Sequence, residues 1–466
     1  MIDPAVSGLT SVLGARTAWR FEAVGGPSLR RMVLVDATNG RLLADQDLIA
    51  SLDRVVCDNA NVRVDEPSPC TAGFARVEGQ PSTGLSDVDD AYDLGGATSG
   101  FYDAIGGPDL TELLGLDVGG TKRLASTVRF CYLDAQQPCP YENAFWNGDQ
   151  MVFGEGFAQA DDVVAHELTH GVTEKTANLL YWGQSGAINE SMSDVMGEIV
   201  DRRHVTAADD PSDWSIGEDL DIGAARDMAD PTRFDHPDRM TSDLWFADLG
   251  NPPYQDQGGV HLNSGVGNKT FFLISQGGSF NGRTVTGLDA GDTSLTQSAT
   301  LYLAVLQSLL SGSDYADLGN VLVQTCDDFV AASADGFTAD DCQQVRSAVA
   351  ATELDQTPTN APQPADAPDT CPAGTTKRTL LDSETGTPTT TFVAGALWTR
   401  DPELVPPNAT SGTESWFGLD PLPSAGDPYA SSLTARTPVT VPSGQKSYLH
   451  FQQWRVFEWD PASGLG

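Results

Sequence analysis

Positive charge is scarce in this chain: 26 Lys and Arg stand against 65 Asp and Glu in 466 residues, giving a formal charge of −39. A surface so short of cations does not suit nucleic acid or an anionic membrane, and both are excluded as partners. No run reaches the roughly 18 apolar residues of a membrane span. Met1 is not followed by the basic segment and apolar stretch of a signal peptide. No two cysteines stand in Cys-x-x-Cys spacing, which argues against a cysteine-rich zinc site. Instead Cys57 and Cys70, Cys131 and Cys139, and Cys326 and Cys342 form three sequence-local couples, with Cys371 left over. Local couples suit disulfides made in an oxidising, extracellular compartment. The expectation is a secreted protein whose Met1 lies inside a longer precursor.

Histidine is scarce too, at 6 residues. Two of them nonetheless fall in His166-Glu167-Leu168-Thr169-His170. On a helix, positions i and i+4 share a face, so both imidazoles can reach one zinc ion with Glu167 beside an open coordination position.

The length suffices for two or three domains. Residues 17–50 read as two strands around Gly25-Gly26-Pro27, with Thr38-Asn39-Gly40 as a further turn. From about 70 to 160, short β-type runs such as Ser126–Tyr132 alternate with turn residues. Asn143–Phe153 reads as a hairpin turning at Asn147-Gly148. After 160 the period becomes helical: Ile188, Met192, Val195, Met196 and Ile199 make one stripe, and Leu318, Val321, Leu322, Cys326 and Phe329 another. Thr338 is the expected N-cap of a last helix, with Asp341 in its first turn. Residues 357–372 lack the hydrophobicity to pack and read as a linker. Beyond them, runs at 391–393, 397–399, 439–441, 448–451 and 454–459 suggest a small, truncated β-sandwich.

A catalytic zinc takes three protein ligands and a water. The third candidate is Glu190, with Asp194 one turn further on the same face and placed to accept the free N–H of a ligand imidazole. Taken alone, the two carboxylates could equally be solvated helix charges.

Several motifs in order decide between these readings. His166 to His170, Glu190 after nineteen intervening residues with Asn189 before it and Asp194 after it, Asn143-Ala144-Phe145-Trp146-Asn147-Gly148, Asp162-Val163-Val164-Ala165 and Gly258-Gly259-Val260-His261-Leu262-Asn263-Ser264-Gly265 together resemble the thermolysin family of metalloendopeptidases over roughly residues 70–352. The resemblance implies His166, His170 and Glu190 as zinc ligands and Glu167 as general base. It implies Tyr181 and His261 as stabilisers of the tetrahedral intermediate, with Asp256 orienting His261. Taken singly, these three would read as a core tyrosine, a loop histidine and a surface aspartate. It further implies Asn143 and Ala144 as the edge that binds substrate backbone, and Arg226 and Val163 at the pocket for a bulky hydrophobic residue after the scissile bond. Asp162, Asp201, Asp213 and Glu218 match calcium-binding positions. Asp201 is the weakest match, because the segment from it to Asp213 is longer than in thermolysin. Ser215 replaces a position that is often acidic, which favours one calcium over two.

The expected architecture is α+β. Residues 1–54 form a pro-segment remnant with maturation near Cys57, 55–175 a β-rich lobe with the zinc helix, and 176–354 an α-helical lobe. A linker at 355–375 and a β-sandwich-like module at 376–466 follow. The expected function is a monomeric, secreted, Zn²⁺- and Ca²⁺-dependent endopeptidase acting on proteins and peptides, held by its own pro-segment before processing. The competing reading is a surface-binding protein whose zinc domain is silent.

Overall fold

A computed structural model describes residues 18–24, 30–37, 40, 42–47, 52–134, 137–204, 213–247 and 256–360, with short runs at 392–394, 398–399, 416–418 and 433–440. The chain divides into two units, Met1–Pro362 and Gln363–Gly466. The first opens with an antiparallel meander of β1 (Ala18–Val24), β2 (Arg30–Asp36) and β3 (Leu42–Asp47). The two turn signals therefore separate three strands, one more than the strand-like runs of the sequence.

The β-rich lobe follows with β4 (Arg54–Asp58), β5 (Arg63–Val64), β6 (Arg76–Val77), helices α1 (Ser86–Ala104) and α2 (Leu110–Leu114), then β7 (Leu116–Val118), β8 (Thr121–Val128), β9 (Cys131–Tyr132), β10 (Ala144–Trp146) and β11 (Met151–Phe153). Its main sheet runs β10-β11-β8-β4-β6, with β4 and β11 parallel to β8. Val55, Val56, Leu124, Ala125, Met151, Val152 and Phe153 are all buried. Such continuous runs are what a sheet covered on both faces requires. Cys57 lies opposite Thr127 in mid-β4 and is bonded to Cys70. A cut at Cys57 would open a paired strand, and the pairing reaches back to the Asp53 carbonyl, which accepts from Leu124 N at 2.7 Å.

Helix α1 departs most from the strand-rich reading of 70–160. It contains Gly95, Gly96 and Gly100, each costing about 1 kcal/mol of helix propensity, which hides it locally. Tertiary packing overrides that cost: Val88, Ala91, Tyr92, Phe101 and Tyr102 are buried. Tyr102 also bonds Thr169 Oγ1 at 2.8 Å, fixing α1 to the next helix. The run at 126–132 is likewise broken, because Arg129 takes a left-handed φ of 50° between β8 and β9. The hairpin at 143–153 forms as read, with Ala144 opposite Phe153 and Gly148 at φ 95°.

The helical lobe contains α3 (Asp161–Lys175), α4 (Gly183–Arg203), the short pair β12 (Ser215–Ile216) and β13 (Arg226–Asp227), α5 (Asp256–Gln276), the hairpin β14 (Gly278–Phe280) and β15 (Arg283–Val285), α6 (Thr296–Leu306), α7 (Tyr315–Ala332) and α8 (Ala339–Ala351). The stripe Ile188, Met192, Val195, Met196 and Ile199 is wholly buried and joins Leu168 of α3 to Phe271 of α5 in one core. Gly197 lets α3 and α4 approach closely, since a Cβ there would lie 2.7 Å from the Asp162 carbonyl. Thr338 caps α8 in a reciprocal box with Asp341. All three cysteine couples form disulfides.

In the second unit, β16 (Phe392–Ala394) pairs antiparallel with β19 (Leu433–Ala435), and β17 (Trp398–Thr399) with β18 (Phe417–Gly418). Val439 and Thr440 are exposed and outside any strand. The runs at 448–451 and 454–459, on which the expected sandwich also rests, lie outside the described residues, as does most of the linker.

Candidate metal centre

Helices α3 and α4 face each other with their metal-ligating residues inward. His166 Nε2 and His170 Nε2 are 2.9 Å apart, and Glu190 lies 3.4 Å from the first and 3.3 Å from the second. Among the described residues this trio is the one group of His, Cys, Asp or Glu whose ligand atoms all fall within 4.8 Å of one another. Glu190 is fully buried, and its Oε2 has no hydrogen-bond partner. A buried carboxylate oxygen with no partner is costly unless a cation meets it. Two imidazoles and one carboxylate are a donor set that suits zinc. Burial would push the His166 imidazole down, but the Asp194 hydrogen bond and the Glu190 carboxylate outweigh it and raise it to about 10. Of these influences, the Glu190 carboxylate beside Nε2 is the one that would also favour a metal cation there.

The surrounding shell fixes both rings. Asp194 Oδ1 lies 2.9 Å from His166 Nδ1, leaving Nε2 toward Glu190. His170 Nδ1 is 2.8 Å from Asn189 Oδ1, and Asn189 Nδ2 donates to the Leu179 carbonyl at 3.2 Å. Asn189 was visible in the sequence only as a motif letter; its role of orienting His170 appears once α3 and α4 are docked. Asp194 in turn accepts two bonds from Arg226, at 2.7 and 2.6 Å, and one from Asn268 at 2.7 Å. Arg226 thus stands beside the centre with Nε and Nη2 engaged.

Glu167 is buried on the same α3 face. Tyr181 donates to Glu190 Oε1 and lies 3.2 Å from His261 Nε2. Burial of its hydroxyl end, followed by the Glu190 and Glu167 charges, raises the phenol well above its ordinary value and keeps it a donor. His261 reaches this point through an unusual entry to α5. Asp256, Gln257, Gly258 and Gly259 all have positive φ, so the chain coils back and regular helix begins at Val260. The turn brings Asp256 onto the His261 ring at Nδ1 and onto the His261 backbone N–H at 2.9 Å. At Gly258 a Cβ would crowd Gly183 N and Trp182 Nε1 at 3.2 Å, so the backbone approach and the positive φ both demand glycine.

Ala144 opens β10, with Asn143 just before it, and among the described residues β10 pairs with β11 on one side only. Val163 packs partly buried on the α3 face toward Leu220. The acids Asp162, Asp201, Asp213 and Glu218 are not part of the zinc trio but gather where α3 begins and α4 ends. Glu218 is pushed up to about 9 by burial and then by the charges of Asp162, Asp201 and Asp213. Asp162 rises to about 7, chiefly through burial. The buried Oε2 of Glu218 has no hydrogen-bond partner. Carboxylates forced together in this way fit a hard divalent cation. The structure adds Glu198, 1% exposed and pushed up by burial and by Asp201 and Glu218; on an apolar helix it gave no sequence signal. Residues 205–212, between Asp201 and Asp213, lie outside the described residues.

Two lobes meeting at a His-Glu-x-x-His helix, with a glutamate from the following helix, define a metallopeptidase of the zinc class. Comparison with known proteins agrees. The family model for the thermolysin metallopeptidase catalytic domain matches residues 114–174, and that for the thermolysin metallopeptidase alpha-helical domain matches residues 177–353. The chain is 39% identical over 353 residues to a zinc metalloproteinase of Renibacterium salmoninarum, covering 72% of this chain and 63% of that one. It is 40% identical over 217 residues to an extracellular metalloprotease of Pectobacterium carotovorum subsp. carotovorum, covering 43% and 58%. Among solved structures, the precursor of protealysin, a metalloproteinase from Serratia proteamaculans, aligns at 29% identity and a TM-score of 0.49 over 65% of this chain and 88% of that one. The chain belongs to the thermolysin family of metallopeptidases. Zinc and calcium are the ions characteristic of that family.

Proposed function

We propose that this chain is a secreted endopeptidase that hydrolyses internal peptide bonds, preferring a bulky hydrophobic residue after the scissile bond. The observation that carries the reading is the convergence of Tyr181 and His261 on one ligand trio, His166, His170 and Glu190, with Glu167 buried on the helix that carries both imidazoles. Zinc held by that trio would supply an acidified water and polarise the scissile carbonyl. Glu167 takes the water proton on its carboxylate and returns it to the leaving amine. Tyr181 Oη and His261 Nε2 donate where oxyanion charge develops, and preorganised donors of this kind are worth about 3 kcal/mol each. Asp256 accepts from the His261 Nδ1–H; against the effect of burial, the Glu190 charge and this bond favour the imidazolium, whose Nε2–H is then the donor. An extended substrate adds to the free edge of β10 at Asn143 and Ala144. Its side chain enters beside Val163, and its carbonyl approaches Arg226 through Nη1, the nitrogen not used by Asp194.

Calcium at Asp162, Asp201, Asp213 and Glu218 ties the α3–α4 pair to the segment at 213–218. Three local disulfides and the extracellular Pectobacterium relative support secretion. The N-terminal meander serves as the pro-segment, removed by a cut before Asp53 so that β4 keeps its pairing. The test is an internally quenched peptide blocked at both ends. Glu167→Gln should abolish its cleavage while the protein retains one zinc by mass spectrometry; retained cleavage would sink the mechanism. Failure of the processed wild type to cut blocked peptides, while releasing free N-terminal residues, would make it an exopeptidase instead.

A further inference from the structure

The acidic cluster beside the zinc helices contains a buried arginine that the reading above leaves unused. Arg202, in the last turn of α4, is 7% exposed. Its Nε donates to Glu198 Oε1 at 2.5 Å, its Nη2 donates to the Asp213 carbonyl, and its guanidinium carbon stands 3.7 Å over the Trp214 ring. The cation is therefore held by the two segments, the end of α4 and residues 213–218, that carry Asp201, Asp213 and Glu218. Away from it, Asp213 Oδ1 is turned back onto Trp214 N and Ser215 N at 2.8 and 3.0 Å. Asp162 Oδ2 accepts from Gly217 N at 2.5 Å. The buried oxygen of Glu218 is left without a partner. Of the acids on these segments, Glu198 is already answered by a fixed positive charge.

We propose that Arg202 is a built-in cation of this cluster, taking up Glu198 and the Asp213 carbonyl so that the remaining acids, Asp162, Asp201, Asp213 and Glu218, accept a single calcium ion. A second divalent ion would face the guanidinium at close range with Glu198 already committed. Because the Arg202 side chain holds the Asp213 carbonyl by a hydrogen bond and stacks on Trp214, the junction keeps part of its attachment when calcium is withdrawn. This inference rests on the reading of Asp162, Asp201, Asp213 and Glu218 as a calcium site.

The experiment uses the full chain in a Glu167→Gln background, which prevents self-digestion, with zinc present throughout. Calcium per chain is counted by equilibrium dialysis, and thermal unfolding is followed in calcium-free and calcium-saturated buffer. The wild-type cluster should bind one calcium, and Glu218→Gln should weaken it at least tenfold. Arg202→Met should bind calcium severalfold more tightly, because a competing positive charge is gone, and its Tm should fall further without calcium than with it. Arg202→Lys, which keeps the charge, should narrow that gap again. Two calcium ions per wild-type cluster, or an equal loss of Tm by Arg202→Met in both buffers, would overturn the proposal and leave the calcium site standing. If Arg202→Met fails to fold, the wild-type count and the Arg202→Lys gap decide. A wild type that binds no calcium, or calcium binding indifferent to Glu218→Gln, would instead refute the calcium site itself.

Discussion

Asp194→Asn preserves shape while removing a charge that three neighbours use. Asp194 is fully buried, 2.9 Å from His166 Nδ1, doubly bonded to Arg226 and bonded once to Asn268. Unit charges about 4 Å apart at an effective dielectric near 20 attract by about 4 kcal/mol. Removing one member of a buried pair typically costs about 3–5 kcal/mol, because the other charge stays behind. Asparagine would strand the Arg226 guanidinium, whose side chain is 11% exposed, and in either orientation its amide N–H₂ would meet an Arg226 N–H donor to donor. Urea unfolding of the inactive Glu167→Gln background should therefore lose about 3–5 kcal/mol on adding Asp194→Asn. Zinc affinity, read by competition with a chelating dye, should fall about 10- to 100-fold, since the tautomer of His166 is no longer fixed. Arg226→Met should carry a similar stability cost, and the double variant should lose clearly less than the two single losses together. A cost under about 1 kcal/mol with unchanged zinc affinity, or single effects that add within about 0.5 kcal/mol, would refute the coupling.

Three further perturbations test the scaffold. Gly197→Ala places a Cβ 2.7 Å from the Asp162 carbonyl, so α3 and α4 must part; unfolding should show a loss of about 1–3 kcal/mol, and chelator competition weaker zinc. Asp89 is held down to about 2 from 3.8: burial acts against its charge, and hydrogen bonds from Ser82, Thr83 N and Gly84 N outweigh it. Its folded value lies below its unfolded one, so its stabilisation is complete above about pH 4 and is lost as pH falls toward 2. Asp89→Asn should cost roughly 1–2 kcal/mol in urea at pH 6, and markedly less at pH 3. Replacing both Cys326 and Cys342 by alanine opens a cross-link of sequence separation 16 between α7 and α8 and should cost about 3 kcal/mol by denaturant unfolding.

Much of the site was legible because its residues are bound to local geometry. His166 and His170 share a face by helical arithmetic, and Glu190 with Asp194 does the same on α4. The hairpin at Asn147-Gly148 and the cap at Thr338 are equally local. Helix α1 was not legible, since glycines masked a helix whose stability comes from packing on the sheet. Neither was Asn189 as an orienting group, because an asparagine beside a ligand is informative only when another helix presents His170 to it. Arg202 and Glu198 read as ordinary residues of α4 until residues 213–218 fold over them.

The sequence by itself determined the spacing that offers two imidazoles and a glutamate from one helix, the three cysteine couples and the division between β-rich and helical halves. Each of these follows from short-range spacing or from residue chemistry that survives in any conformation. Only the tertiary structure decided how tightly α3 and α4 approach at Gly197, which oxygen of Glu190 is left without a partner, and how the left-handed run at 256–259 carries His261 to Tyr181. The reason is physical: ligation, proton transfer and charge compensation act over about 3–4 Å, between groups that the chain separates by tens of residues.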